Sequence, residues 1–347
     1  MSFVGVDLHT NSFTACRREA DGSESFASFT LSPADLARFC LGLDADDEVA
    51  FEATGNSAWF RDQVLPCVGR VAVVNPSQFK VIRQSVKKTD RNDARALALF
   101  LAKDMLPETR AKTQAESELG SLTQTRDLLV KQRTRLLNKV HALHNRHGIK
   151  LKRESLASKK RLLAITSDPF TPLEWVELEI VRDQALSLSE AIGKIDARIE
   201  EAARALKGYA SLTSIKGIGP RAAAVFLSTI GNIQDFASAD KLAAYFGIVP
   251  RVSQSNETDN RGRITKRGSR LARTALVQCT LIATRYSPYL KAYYDRIRRR
   301  RGSGKAIIAT ARKLLAIVYD TLKSGRVFTD FAAFQFQPGH IPAGQSS

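Results

Sequence analysis

Two stretches decide the fold: Phe3-Val4-Gly5-Val6-Asp7 and Lys88-Thr89-Asp90-Arg91-Asn92-Asp93. The first is a short apolar run that reads as a buried strand ending in an acid. The second opens a helix over Arg91–Lys103 that carries Ala94, Leu97, Ala98 and Leu101 on one face. Its acids stand three residues apart, which puts both carboxylates on one side of the first turn, with Asp90 also a candidate N-cap. Between these stretches, Glu48–Glu52 is a second strand ending in an acid, and Val71–Val74 is a third, closed by Asn75-Pro76. Asn11–Arg17 and Glu24–Phe29 flank Asp21-Gly22 as a hairpin. Ser32 caps a helix over Pro33–Leu43, and Trp59–Val68 reads as helical. This alternation predicts a mixed α/β sheet domain over residues 1–110.

If the two acid-tipped strands are neighbours, Asp7 and Glu52 emerge at the same sheet edge and face Asp90 and Asp93. Four converging carboxylates cannot all stay ionised without cations. They suit Mg²⁺, a hard ion that prefers oxygen, and two such ions can clamp the attacking and leaving oxygens of a phosphodiester. Singly, each acid reads as a cap or a solvated charge. Their order on a strand-helix background is what carries the signal.

Past Thr113 the period changes. Leu122, Leu129, Leu136 and Leu143 recur every seven residues, and a second helical stretch runs over Pro172–Leu206. The polar segment 154–170 joins them, so residues 111–207 form either an antiparallel hairpin or a dimerising coiled coil. Residues 208–330 read as mainly helical. Ile215-Lys216-Gly217-Ile218-Gly219-Pro220 looks like the turn of a helix-hairpin-helix, where backbone N–H groups with Lys216 and Arg221 can hold a DNA phosphate. A plain packing turn between helices is the alternative. Gly247–Gly268 reads as a basic loop in which Arg251, Arg263, Lys266 and Arg267, with Arg270 just beyond, suit phosphate contact. An Arg-rich helix covers Ser269–Ala283, a last helix Lys305–Lys323 follows the run Arg296–Arg301, and residues 331–347 look like a flexible tail.

The charge balance points the same way. Lys and Arg total 53 against 35 Asp and Glu in 347 residues, a net charge of +18, which makes a polyanion the leading partner. Cys16, Cys40, Cys67 and Cys279 show no CxxC spacing, which argues against a zinc site or a disulfide framework. Without an apolar run of membrane length or a leader-like N-terminus, a cytoplasmic protein with no membrane partner is expected.

Val4–Thr10, the Phe51–Asn56 segment, Lys88–Ala98, Ile215–Pro220 and the block from Tyr245 to Arg273 together resemble the DEDD transposases of insertion sequences (family one-ten, Piv/MooV-like), which are bridge-RNA-guided recombinases. The resemblance covers nearly the whole chain. It implies an RNase H/RuvC-like N-terminal domain with Asp7, Glu52, Asp90 and Asp93 as the metal tetrad, a coiled-coil region, and a C-terminal transposase domain. In the last of these the serine of a Gln-Ser motif, here Ser255, attacks a DNA phosphate to give a phosphoserine intermediate. It further implies donor and target double-stranded DNA, a structured guide RNA, and a homo-oligomer arranged as a dimer of dimers. One departure is Asn256, where the family has Gly after the serine; Asn tolerates the left-handed backbone, and Ser253 stays open as the alternative nucleophile. Two competing readings are a RuvC-type Holliday-junction endonuclease that hydrolyses with metal-bound water, and a basic nucleic-acid-binding scaffold with no enzymatic step.

Overall fold

The computed structural model describes residues 1–76, 78–79, 89–110, 112–152, 154–255 and 258–328; the side chains of 252–255 and 258–261, and the expected tail at 331–347, lie outside that description. The chain divides into two compact units, Met1–Ala111 and Lys112–Ser347.

The first unit is built on a five-stranded sheet: β1 (Phe3–Leu8), β2 (Ser12–Arg18), β3 (Glu24–Thr30), β4 (Glu48–Glu52) and β5 (Arg70–Val74), in the order β3-β2-β1-β4-β5. The hairpin β2–β3 continues antiparallel from β1, whereas β4 and β5 run parallel to β1, an arrangement consistent with an RNase H-like fold. Because successive strand residues point to opposite faces, one face presents Val4, Val6, Leu8, Phe13, Val49 and Phe51 to helices α1 (Pro33–Leu41) and α2 (Ser57–Val64). There Phe13 stacks on Phe29 at 5.0 Å and meets Phe39 and Phe60 edge-on at 5.0 and 5.1 Å. Each buried ring contributes roughly 1.5–3 kcal/mol through removal from water.

The other face receives α3 (Asp90–Ala102), whose Ala94, Leu97, Ala98 and Leu101 are buried. Thr89 caps it, its hydroxyl accepting from the Asn92 N–H, so Asp90 is the first helical residue and not the cap. Two boundaries differ from expectation. The helix begun at Pro33 ends at Leu41, where the Gly42 N–H turns back to Phe39 and Cys40. The helix through Trp59 ends at Val64 because Pro66 cannot continue it, leaving a 3₁₀ turn over Leu65–Cys67.

In the second unit, α4 (Gln114–Arg146) and α6 (Pro172–Arg204) each open with a capping box, Thr113 with Glu116 and Thr171 with Glu174. The short α5 (Lys159–Leu163) lies between them. The ion pairs Arg126–Asp196 and Lys139–Glu177, with a 3.0 Å hydrogen bond between His147 and Glu174, join the two long helices as an antiparallel hairpin. The leucine seam therefore meets the chain's own second helix: Leu119 and Leu122 pack with Ile195, Ile199 and Ala203.

The rest is α7 (Tyr209–Thr213), α8 (Pro220–Ile230), α9 (Ala239–Tyr245), strands β6 (Pro250–Ser255) and β7 (Thr258–Ile264), then α10 (Arg270–Tyr286), α11 (Pro288–Arg301) and α12 (Ser303–Ser324). One core joins them through Leu212, Phe226, Phe246, Leu276, Leu314 and Val318. One reading is corrected here. The segment taken as a loop contains an antiparallel ribbon, β6 paired with β7, whose backbone hydrogen bonds the glycines had obscured. The arginine run belongs to the end of a helix, α11, in which only Leu290 is fully buried, so no apolar stripe announced it.

Candidate metal centre and nucleic-acid interface

The acids of the first unit gather because a helix lies unusually close to the sheet. A Cβ at Gly5 would stand 2.1 Å from the Ala94 carbonyl oxygen and 2.4 Å from the Ala98 nitrogen. Glycine on the strand and alanines on the helix let the two backbones nearly touch, and the N-terminal turn of α3 then reaches the end of β1. Ala94 and Ala98 cover Gly5, while Asp90 lies one turn further along, within reach of the residues that follow Gly5.

Asp7, His9 and Asp90 each offer one ligand atom, all within 4.8 Å of one another. His9 Nε2 lies 3.3 Å from Asp7 Oδ2 and 3.6 Å from Asp90 Oδ2. Burial pushes the Asp7 carboxyl up from its ordinary value; His9 opposes this, and the negative charges of Asp90 and Asp93 reinforce it. Asp93 is buried in the same first turn of α3 as Asp90. Glu52 ends β4, and the parallel register that pairs Val6 with Phe51 places it, one residue on, beside Asp7. Adjacent partners in a parallel pair point to the same face, so Glu52 and Asp7 share the face that α3 covers. Oxygen donors dominate this set and their charges repel, an arrangement that a divalent cation would relieve. The residues present fit such an ion.

Sequence reasoning missed His9 and the support behind it. His9 stands two residues past Asp7, the spacing that returns a side chain to the same side of an extended segment. The Asn56 side chain donates to the His9 carbonyl at 3.0 Å, and Thr54 donates to Asn56 at 2.9 Å. The Phe51–Asn56 motif thus supplies both an acid and a brace for the turn after β1.

The expected phosphate-binding residues all lie in the second unit. Lys216 and Gly219 are exposed. Gly217, at φ +107, packs on α10: its Cβ would lie 2.9 Å from the Ala283 nitrogen and 3.0 Å from the Cys279 carbonyl oxygen. That glycine serves helix packing, the alternative that the motif left open, and the helix before it is a single turn. Arg221 is exposed and lies 3.6 Å from Asp196. Arg251, Arg263, Lys266, Arg267 and Arg270 are all exposed, around the root of the β6–β7 ribbon.

The root is tightly built. A Cβ at Gly247 would meet the Arg267 carbonyl oxygen at 2.1 Å, and one at Gly268 the Tyr245 carbonyl oxygen at 2.1 Å. The Arg273 guanidinium donates to the carbonyls of Phe246, Arg267 and Gly268, at 3.3, 2.7 and 3.1 Å. Lys266 adopts φ +56 to make the turn. Ser255 ends β6 opposite Thr258, and Ser253 pairs with Asn260; their side chains, and Asn256 with Glu257, lie outside the described residues.

Among the described residues no helix is long and apolar enough to cross a membrane. Two family models match. One, the DEDD transposase model described as "Transposase", covers residues 4–147; the other, "Transposase IS116/IS110/IS902 family", covers residues 209–295. Similar proteins include the transposase for insertion sequence element IS1111A of Coxiella burnetii, 26% identical over 93% of this chain and 90% of its own length. The transposase for IS1328 of Yersinia enterocolitica is 26% identical over 95% and 99%. The pilin gene-inverting protein of Moraxella bovis is 26% identical over 94% and 97%. With a DEDD model on the acid-bearing unit and a second transposase model on the unit that carries the basic ribbon, this chain belongs to the IS110/IS116 family of insertion-sequence transposases.

Proposed function

We propose that this transposase cuts and rejoins DNA through a covalent protein–DNA intermediate, with Ser255 as nucleophile and Asp7, Glu52, Asp90 and Asp93 as a Mg²⁺-binding set. The observation that carries the reading is the meeting of Asp7 from β1 with Asp90 and Asp93 from the first turn of α3, with Glu52 one strand over by register. Mg²⁺, when bound there, would neutralise charge on a phosphodiester. The chain's own residues do the rest. The serine hydroxyl gives up its proton and its oxygen bonds phosphorus as the bond from phosphorus to a deoxyribose oxygen breaks. The departing hydroxyl takes up a proton, and its later attack on the phosphoserine restores the phosphodiester and frees the serine. The basic residues around the ribbon root hold backbone phosphates. The family resemblance supports a structured RNA that pairs with donor and target DNA, and assembly as a dimer of dimers.

Trapping on a suicide duplex, from which the cut strand diffuses away, tests the covalent step. The wild-type chain should leave a protein–DNA adduct in Mg²⁺ and none in EDTA. Ser255→Ala should abolish the adduct, and Ser253→Ala should keep it. Cut DNA without any adduct would favour hydrolysis of the RuvC junction-endonuclease kind and overturn the serine assignment.

A further inference from the structure

The α11 helix carries a strongly charged surface that the metal centre and the ribbon do not use. Lys291, Asp295 and Arg299 follow one another at i, i+4 and i+8, and Arg296 and Arg300 form the adjoining row; together they line a shallow groove along the helix. Lys291, Arg296, Arg299 and Arg300 are exposed. The one acid of this face, Asp295, receives a 2.9 Å hydrogen bond from Lys291, so it is neutralised within the face and the arginine charge stands in excess. Four arginines in the last turn exceed what the helix dipole calls for. The row from Lys291 to Arg300 spans about 14 Å, or about four base pairs of duplex.

The aromatic groups decide which nucleic acid fits. Single strands are gripped by bases stacking on open rings. Here the Tyr293 ring is already engaged by the Arg296 guanidinium at 5.3 Å and the Lys313 ammonium at 5.6 Å. Among the described residues no aromatic ring lines the groove itself, so charge is offered there without a stacking platform.

We infer that the Lys291–Arg300 face of α11 is a sequence-independent docking surface for the phosphate backbone of duplex DNA, separate from the cutting chemistry. Arginine suits this task because its planar guanidinium makes paired hydrogen bonds to phosphate oxygens. The inference does not depend on which serine acts.

The test compares R296Q/R299Q/R300Q with K131Q/R198Q/R204Q in the full chain. The second variant removes the same charge from residues that already pair with Asp127, Glu201 and Glu200. Affinity for a random-sequence duplex and for a single-stranded RNA of equal length is measured across a salt series, with thermal melting to confirm folding. The α11 variant should lower the log–log salt slope for duplex by about 2 to 3, at roughly 0.9 per phosphate contact. Its RNA binding, and both affinities of the control variant, should change less than twofold. An unchanged duplex slope would overturn the proposal. Equal losses for RNA and duplex, or equal losses in the control variant, would also overturn it, since they would reveal a general charge effect. Adduct formation on the suicide duplex at saturating DNA should persist in the α11 variant, which separates this result from a failure of the serine chemistry.

Discussion

The two functional regions use the same packing device and differ in what it supports. In the first unit, Gly5 brings a helix backbone against a strand, and the acids stand on the packed body itself, on β1, β4 and the first turn of α3. In the second, Gly247 and Gly268 bring the two feet of a ribbon against the C-terminus of α9, and the serines lie beyond that contact, on a two-stranded extension. A defect at Gly5 displaces ligands directly. A defect at Gly247 tilts the ribbon and leaves the acids where they are.

Metal removal should produce the largest effect. Asp7→Ala should abolish strand exchange, a loss of at least about 10³-fold, while duplex affinity falls less than threefold; a recombination assay beside a binding assay checks both. His9→Ala should be milder, weakening divalent-metal affinity by roughly 10- to 100-fold as a supporting contact is lost. Titration calorimetry with Mn²⁺ as a Mg²⁺ substitute reads this directly, and an unchanged affinity would confine the centre to the carboxylates.

The glycines sharpen the comparison further. Gly5→Ala pushes a methyl group into backbone atoms that cannot swing aside and should cost about 1–3 kcal/mol in the first unit, with metal affinity falling in parallel. Gly247→Ala should cost about as much, since it adds a clash to φ +68. Its metal affinity should nevertheless match wild type while adduct formation drops. If Gly247→Ala weakened metal binding as much as Gly5→Ala, the two regions would not be the independent structures described.

Acid should make the smallest distinction. Asp47 is buried; burial disfavours its charge, but the Asp44 N–H, the Ser2 hydroxyl and N–H, and Arg17 outweigh this and hold its carboxyl below the ordinary value. A depressed carboxyl stabilises the fold above the unfolded value, about 3.9, and that stability is lost as pH falls toward the folded value. Amides of β1 and β2 should therefore lose hydrogen-exchange protection below about pH 4, with Asp47→Asn removing this dependence. The ribbon root, held by the Arg273 guanidinium, should keep its protection over the same range because arginine stays charged.

Much of this was legible in the chain because it is local. Strands with Asp7 and Glu52 near their C-terminal ends, the Asp90/Asp93 pair on one helix turn, and the two long helices announce themselves through periodicity and placement, and the surplus of positive charge through counting alone. The α11 helix escaped because its sequence lacks an apolar stripe, and the β6–β7 ribbon because glycine and arginine mask strand pairing. Only the folded structure could decide the rest. That His9 sits between Asp7 and Asp90, that Gly217 packs on α10, and that the leucine seam meets the chain's own second helix are all contacts between distant segments. Such contacts depend on how closely two backbones approach, and that distance is set by the small residues on both sides, a property no single segment carries.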